Sequence, residues 1–319
     1  MNAVPLILAP LRGFTDVIFR NTFQGHFAGV DEAVAPFVTA IKGRRIKATH
    51  VRELEPADNR ALPTVPQILG NDPDELIRLA DTLAGMGYPE INWNLGCPFP
   101  MVAKKMRGSG LLPHPDIIDR VLERVLPGFA GRLSVKTRLG RFSAHEMDRL
   151  VPVFNRYPLA RVIVHPRTGV QMYTGSVDLE AFQKCLAALV HPVVYNGDIN
   201  DTQTLHHLRE RFPTVAGWML GRGLIANPFL AEMIRRGTTA VPGSRARFAR
   251  FHDELVDGYG GRFCGPGHVL DRMKGFWRYF ASGFCDGQRI LMRIRKAASL
   301  DRYRREVAAA LADHDGWSG

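Results

Sequence analysis

Short apolar, β-branched runs that end in polar residues recur along the first 220 residues of the chain. They fall at 4–8, 30–35, 64–69, 89–94, 133–137, 160–165, 192–196 and 215–220, eight in all, spaced by about the 30 residues of one strand–helix unit. Between most of them the apolar period lengthens to that of a helix. Residues 72–86 open on Asn71-Asp72-Pro73 and carry Leu76, Leu79, Ala80 and Leu83 at helical spacing, behind a capping Asp and a first-turn Pro. The stretches 116–126, 144–154, 178–189 and 202–212 read the same way. Eight strands alternating with helices predict an α/β fold, a (β/α)8 TIM barrel with its site where the strands end. A doubly wound sheet would normally show GxGxxG after its first strand, and Ala9-Pro10-Leu11-Arg12-Gly13 does not supply it.

The alternation stops at a polar, Gly- and Pro-bearing stretch, 235–243, and gives way to helical patterns at 245–259, 269–280 and 289–312. Two units are therefore expected: a barrel over 1–237 and a small all-α helical domain over 244–319, with 313–319 frayed. Residues 1–10 have no basic leader and no cleavage site, so they read as a first strand, not a signal peptide. Nowhere do 18 apolar residues run together, so no membrane span is expected.

Composition changes this picture in two places. The net charge is +11, from 42 Lys+Arg against 31 Asp+Glu, and residues 240–319 hold 14 of those cations against 9 acids. Such an excess suits a polyanionic partner, and equally a generally basic proteome. Cysteines stand at 97, 185, 264 and 285 without metal-ligand spacing, which argues for reduced thiols, no metal site and a cytoplasmic protein.

The strand ends carry the candidate chemistry. Ile91-Asn92-Trp93-Asn94-Leu95-Gly96-Cys97-Pro98 is a strand ending in a glycine-bent turn, which delivers Asn94 and Cys97 to the barrel mouth. Gln67 sits inside an apolar strand, and an inward amide there needs a partner such as a bound heterocycle. Lys136, between Val135 and Thr137, either faces inward against a negative or carbonyl-rich group or snorkels outward. Asn196-Gly197-Asp198 and Gly221-Arg222-Gly223 follow the seventh and eighth strands, where barrels build phosphate sites from glycine backbone and a cation. A phosphate-bearing cofactor follows as the expectation.

Leu8-Ala9-Pro10, Gln67, Asn94-Leu95-Gly96-Cys97-Pro98, Lys136-Thr137-Arg138-Leu139-Gly140, His165-Pro166-Arg167-Thr168, Asn196-Gly197-Asp198-Ile199 and Gly221-Arg222-Gly223 together resemble, in order and spacing, the tRNA-dihydrouridine synthases. The resemblance covers about residues 4–230 and implies an FMN enzyme that reduces the C5=C6 bond of a D-loop uridine in tRNA, with NADPH as reductant. It places Pro10, Leu11, Arg12, Gln67, Lys136, His165, Asn196, Gly197, Asp198, Gly221 and Arg222 on FMN, and makes Cys97 the acid that protonates C5. Asn94 would hold the uracil edge, with Arg138, Arg167 and Tyr173 on the nucleotide. The tail resembles the family's tRNA-binding domain, with Arg272, Lys274, Tyr279 and Arg295 toward tRNA. Its cations lean toward the bacterial subfamily acting at D-loop position 16, and the enzyme is expected to work as a monomer. Asn92, Phe99-Pro100-Met101 and Pro166 depart from the family pattern, which bears on target choice. The rival reading is an FMN barrel acting on a free pyrimidine, like dihydroorotate dehydrogenase, which leaves the basic tail unexplained.

Overall fold

A computed structural model describes residues 4–43, 46–129 and 131–312; the terminus expected to fray, 313–319, lies outside the described residues. Ten strand segments join in one parallel sheet, and they make eight strands. These are β1 (Leu6–Leu8), β2 (Glu32–Val34 and Val38–Thr39), β3 (Thr64–Val65 and Gln67–Leu69), β4 (Glu90–Leu95), β5 (Arg132–Gly140), β6 (Val162–Thr168), β7 (Val193–Tyr195) and β8 (Gly217–Leu220). Pro36 and Pro66 interrupt β2 and β3 because proline has no N–H for the ladder. Val34 pairs with Val65 and Val38 with Ile68, so four steps on β2 match three on β3 and one residue bulges near Phe37. Both ends of the sheet belong to this one pair of strands, so the ring closes as a barrel with no free edge.

Side chains alternate in and out along each strand. Ile91, Trp93 and Leu95 of β4 join the large core under the helices, while Ile7, Ala9, Val34, Val65, Ile163, Val194 and Met219 form a separate small cluster inside the barrel. The interior of β3 to β5 is polar instead: Gln67, Asn92 and Ser134 have no exposed surface and Asn94 has 7%. Polar groups in such a place must bond one another, and they do (below).

The outer helices follow the sequence pattern. Pro73–Gly85 starts behind Asp72, whose carboxylate accepts from Glu75 N, and Leu179–Ala188 and Thr202–Arg211 start behind Asp178 and Asp201 in the same way. The barrel ends in helix Leu230–Arg236, which stops at left-handed Gly237, and the tail begins at Ser244. There the pattern is only partly right. Ser244–Arg262 and Pro266–Phe280 match two expected helices, but the expected 289–312 is two helices, Gly287–Lys296 and Leu300–Ala312. Ala297 leaves helical geometry, and Ser299 Oγ takes the Arg302 N–H to start the last helix.

An aromatic stack joins the tail to helix Val17–His26 of the barrel. Phe276 lies parallel to Phe19 at 5.6 Å and edge-on to Phe14 at 5.3 Å, and Tyr259 donates to Asp16 Oδ1 at 2.9 Å. The helical unit thus shares one hydrophobic core with the barrel.

Candidate active site

The cysteine is held by its own turn. Asn94 Oδ1 accepts from Gly96 N at 3.1 Å and Cys97 N at 2.8 Å, a side-chain-closed turn that needs a short carbonyl-bearing residue three places before the cysteine. A line of amides fixes Asn94 from below: Asn94 Nδ2 donates to Gln67 Oε1 (2.7 Å), Gln67 Nε2 to Asn92 Oδ1 (2.8 Å) and Asn92 Nδ2 to Ser134 Oγ (2.9 Å). Each link orients the next, so the Asn94 carbonyl can only face the turn. Cys97 O accepts from Ser109 N (3.0 Å), Arg138 Nε donates to Gly96 O (3.0 Å), and Arg141 donates to Pro98 O (3.1 Å) and Ser109 Oγ (3.1 Å). Gly108 completes the clamp: its φ is +56°, and a Cβ there would lie 2.8 Å from Cys97 Cβ.

Burial pushes the Cys97 thiol above its ordinary pKa, although the Phe99 N–H and the charges of Arg12, Arg138 and Lys136 pull the other way. The group is therefore a protonated thiol at neutral pH, and those same groups face the anion left when its proton departs. Lys136 answers the question left open by the sequence: it points into the cavity. Burial and the neighbouring Arg138 bring its pKa down to about 7, and no acceptor among the described residues lies within hydrogen-bond reach. His165 is driven well below the usual histidine range by burial and by the cations Arg138, Lys136, Arg167 and Arg222, so its ring is neutral.

Opposite these groups, the loops after β7 and β8 touch. A Cβ on Gly223 would lie 2.1 Å from Ile199 O, so only glycine lets the two backbones approach. Arg222 donates to Asp198 Oδ1 at 2.9 Å, and Arg167 grips both Asp198 oxygens and His165 Nε2. Burial raises the Asp198 carboxyl, but the Arg167 hydrogen bond and charge, with Arg222, outweigh it and hold it below the carboxylate range. Two arginines against one carboxylate leave this edge positive. Tyr173 stands between Arg222 (4.9 Å to its ring) and Arg138 (5.4 Å).

The cavity is open on one side, as a site that admits a ligand from solvent must be. It brings together Pro10, Leu11, Arg12, Lys136, His165, Asn196, Gly197, Asp198, Gly221 and Arg222, along with Asn94, Cys97, Arg138 and Tyr173. Several expected roles move. Gln67 is sealed beneath the floor with its amide spent on Asn92 and Asn94, so it positions the turn and touches no cavity space. Arg167, 2% exposed, is behind Asp198 and holds that carboxylate and His165. Asn94 gives its carbonyl to the turn and one amide hydrogen to Gln67, which leaves little for a substrate edge. Arg272 is turned inward onto Gly13 O and Asp16 and stacks on Tyr259 and Phe263, so it ties the two units together and is not a free cation. Lys274 is half-buried, Tyr279 packs edge-on to Phe14 at 5.2 Å, and Arg295 is exposed. Arg141, Ser109 and Phe37 went unnoticed in the sequence. Only Ser109 carried a signal, through its place beside Gly108.

A closed parallel barrel with a cationic, glycine-edged cavity at its strand ends is the architecture of the barrel class, in which sites are built at that end of the sheet. The Dihydrouridine synthase (Dus) family model matches residues 7–256, and the chain belongs to that family. Similar sequences include a probable tRNA-dihydrouridine synthase of Rhodobacter capsulatus, 30% identical over 82% of each chain. One from Staphylococcus aureus is 32% identical over 73% of this chain and 72% of its own. The tRNA-dihydrouridine synthase B of Yersinia pestis is 28% identical over 85% of each. Among solved structures, an old yellow enzyme homologue from Zymomonas mobilis superposes with a TM-score of 0.54 at 13% identity, over 75% of this chain and 93% of its own, a likeness of fold. Among the described residues no helix is long and apolar enough to cross a membrane.

Proposed function

We propose that this enzyme reduces the C5=C6 bond of a uridine in the D-loop of tRNA, with FMN as cofactor and NADPH as reductant, and that Cys97 is its proton donor. The observation that carries the reading is the clamped, protonated Cys97 thiol facing the same cavity as Lys136, His165 and Arg222. The residues present fit an anionic cofactor. Lys136 lines the cavity with no carboxylate partner among the described residues, so an anion against it would hold its charge, and Gly197, Gly221 and Gly223 line the wall beside Arg222, where a phosphate would sit. Lys136, His165, Asn196, Gly197, Gly221 and Arg222 would hold FMN, with Pro10 to Arg12 along its side. When bound, the flavin supplies the hydride that reaches uracil C6.

The chain's own groups do the rest. Charge left at uracil C5 and O4 takes a proton from Cys97 Sγ; the C–H bond forms as S–H breaks, and the thiolate left behind faces the Phe99 N–H, Arg12, Arg138 and Lys136. Asn94 and Arg138 keep the sulfur in place. A base stacked inside tRNA cannot reach the strand ends, so the uridine enters by flipping out, past the half-exposed Tyr173 and Phe99. With Arg272 engaged internally, the lean toward the position-16 subfamily rests on Lys274 and Arg295 alone. Dihydrouridine mapped in tRNA from a strain lacking this protein tests the reading: one D-loop site should revert to uridine, and an unchanged map would contradict it.

A further inference from the structure

Beside the cavity lies a second, open depression that shares Arg12 and Phe37 with it. Its floor is apolar, formed by Phe37, Leu69, Val102 and Met101, and its rim is cationic, with no carboxylate in the lining. Arg107 on that rim is drawn to the buried Glu75 at 3.7 Å. Arg12, Lys104 and Lys105 have no carboxylate partner among the described residues, and the Arg12 guanidinium lies over the Phe37 ring at 5.6 Å. Met101 is 81% exposed, an apolar side chain left in water at the edge of the site. An apolar floor beside cations that lack a carboxylate partner suits a group that carries a ring and an anion together, which is a nucleotide.

We propose that this depression seats the nucleotide adjoining the target uridine in the tRNA strand, with its base on Phe37 and Met101 and its phosphate among Arg12, Lys104 and Lys105. The proposal rests on the tRNA reading above. A base flipped into the cavity draws its neighbour's backbone across the shared Arg12–Phe37 rim, and this is where that rim continues into ring-sized apolar surface. The nucleotide end of the reducing dinucleotide has the same chemistry, and the two half-reactions separate the sources.

The test uses FMN-loaded protein carrying Lys104→Glu with Lys105→Glu, and separately Met101→Ala. Affinity for unmodified tRNA is measured across a salt series, and flavin bleaching by NADPH is measured without tRNA. The charge-reversed protein should bind tRNA at least about ten-fold more weakly, with a salt slope shallower by roughly 1.5, two phosphate contacts at about 0.7–0.9 each, and should bleach at the wild-type rate. Met101→Ala should weaken tRNA binding several-fold at an unchanged slope. Wild-type affinity and slope in the charge-reversed protein would overturn the assignment. So would intact tRNA binding with a raised NADPH requirement for bleaching, which assigns the depression to the dinucleotide. Wild-type protein that fails to bind tRNA would instead bring down the functional reading, and this proposal with it.

Discussion

Lys136 carries the most direct test of how the cavity is charged. A lysine whose pKa falls to about 7 in the folded chain, against about 10.4 when unfolded, binds fewer protons folded than unfolded between those values. Its contribution to stability therefore rises with pH from about 7 toward 10.4 and is flat below 7. The ligand-free protein should gain stability between pH 7 and 8, short of the ordinary thiol pKa of about 8.5, and Lys136→Met should remove that slope in denaturant melts. An anionic ligand against Lys136 restores its charge, so FMN binding at pH 8 should take up on the order of one proton. Calorimetry in buffers of different ionisation heat reads this, and no uptake would mean that the anion sits elsewhere. The same scale separates Asn94 from its expected role. Its identity was legible from the motif, but its orientation is set by a line of links through Gln67, Asn92 and Ser134 that joins residues 27, 25 and 42 positions apart, which only the paired strands bring together.

At the scale of elements, the sequence displayed the barrel plainly because each strand is a separate apolar run with its own turn signals. The breaks in β2 and β3 fall at Pro36 and Pro66, which the sequence displays, whereas the bulge near Phe37 and the extension of β5 to Gly140 were not legible, since they depend on pairing between strands. The split of the last helix was hidden by helix-forming residues on both sides of Ala297. Least visible was the seam between barrel and tail, where Phe14, Phe19, Tyr259 and Phe276 meet from distant segments. Phe276 has no exposed surface, so Phe276→Ala should cost about 3–5 kcal/mol in a single unfolding transition. A loss under about 1 kcal/mol, or an early separate transition for the tail, would show that the two units do not share a core.

For the whole molecule, the +11 charge matters only where it is free. Arg293 and Arg302 are drawn to Glu306, and Arg304 to Asp257, whereas Arg295 is exposed and has no carboxylate partner among the described residues. Arg295→Glu should therefore weaken tRNA binding and reduce its salt slope by about 1. Arg272→Ala should leave the slope alone and lower stability by about 1.5–3 kcal/mol, through lost charge-assisted bonds to Gly13 and Asp16. The reverse pattern would return Arg272 to the RNA surface. The account as a whole turns on Cys97 as the acid in reduction of tRNA uridine, and single turnover of pre-reduced enzyme with unmodified tRNA measures that step. Wild-type protein should form dihydrouridine, while Cys97→Ala should accept electrons from NADPH normally yet form it about 10²–10⁴-fold more slowly. Equal rates from the two proteins would contradict the account.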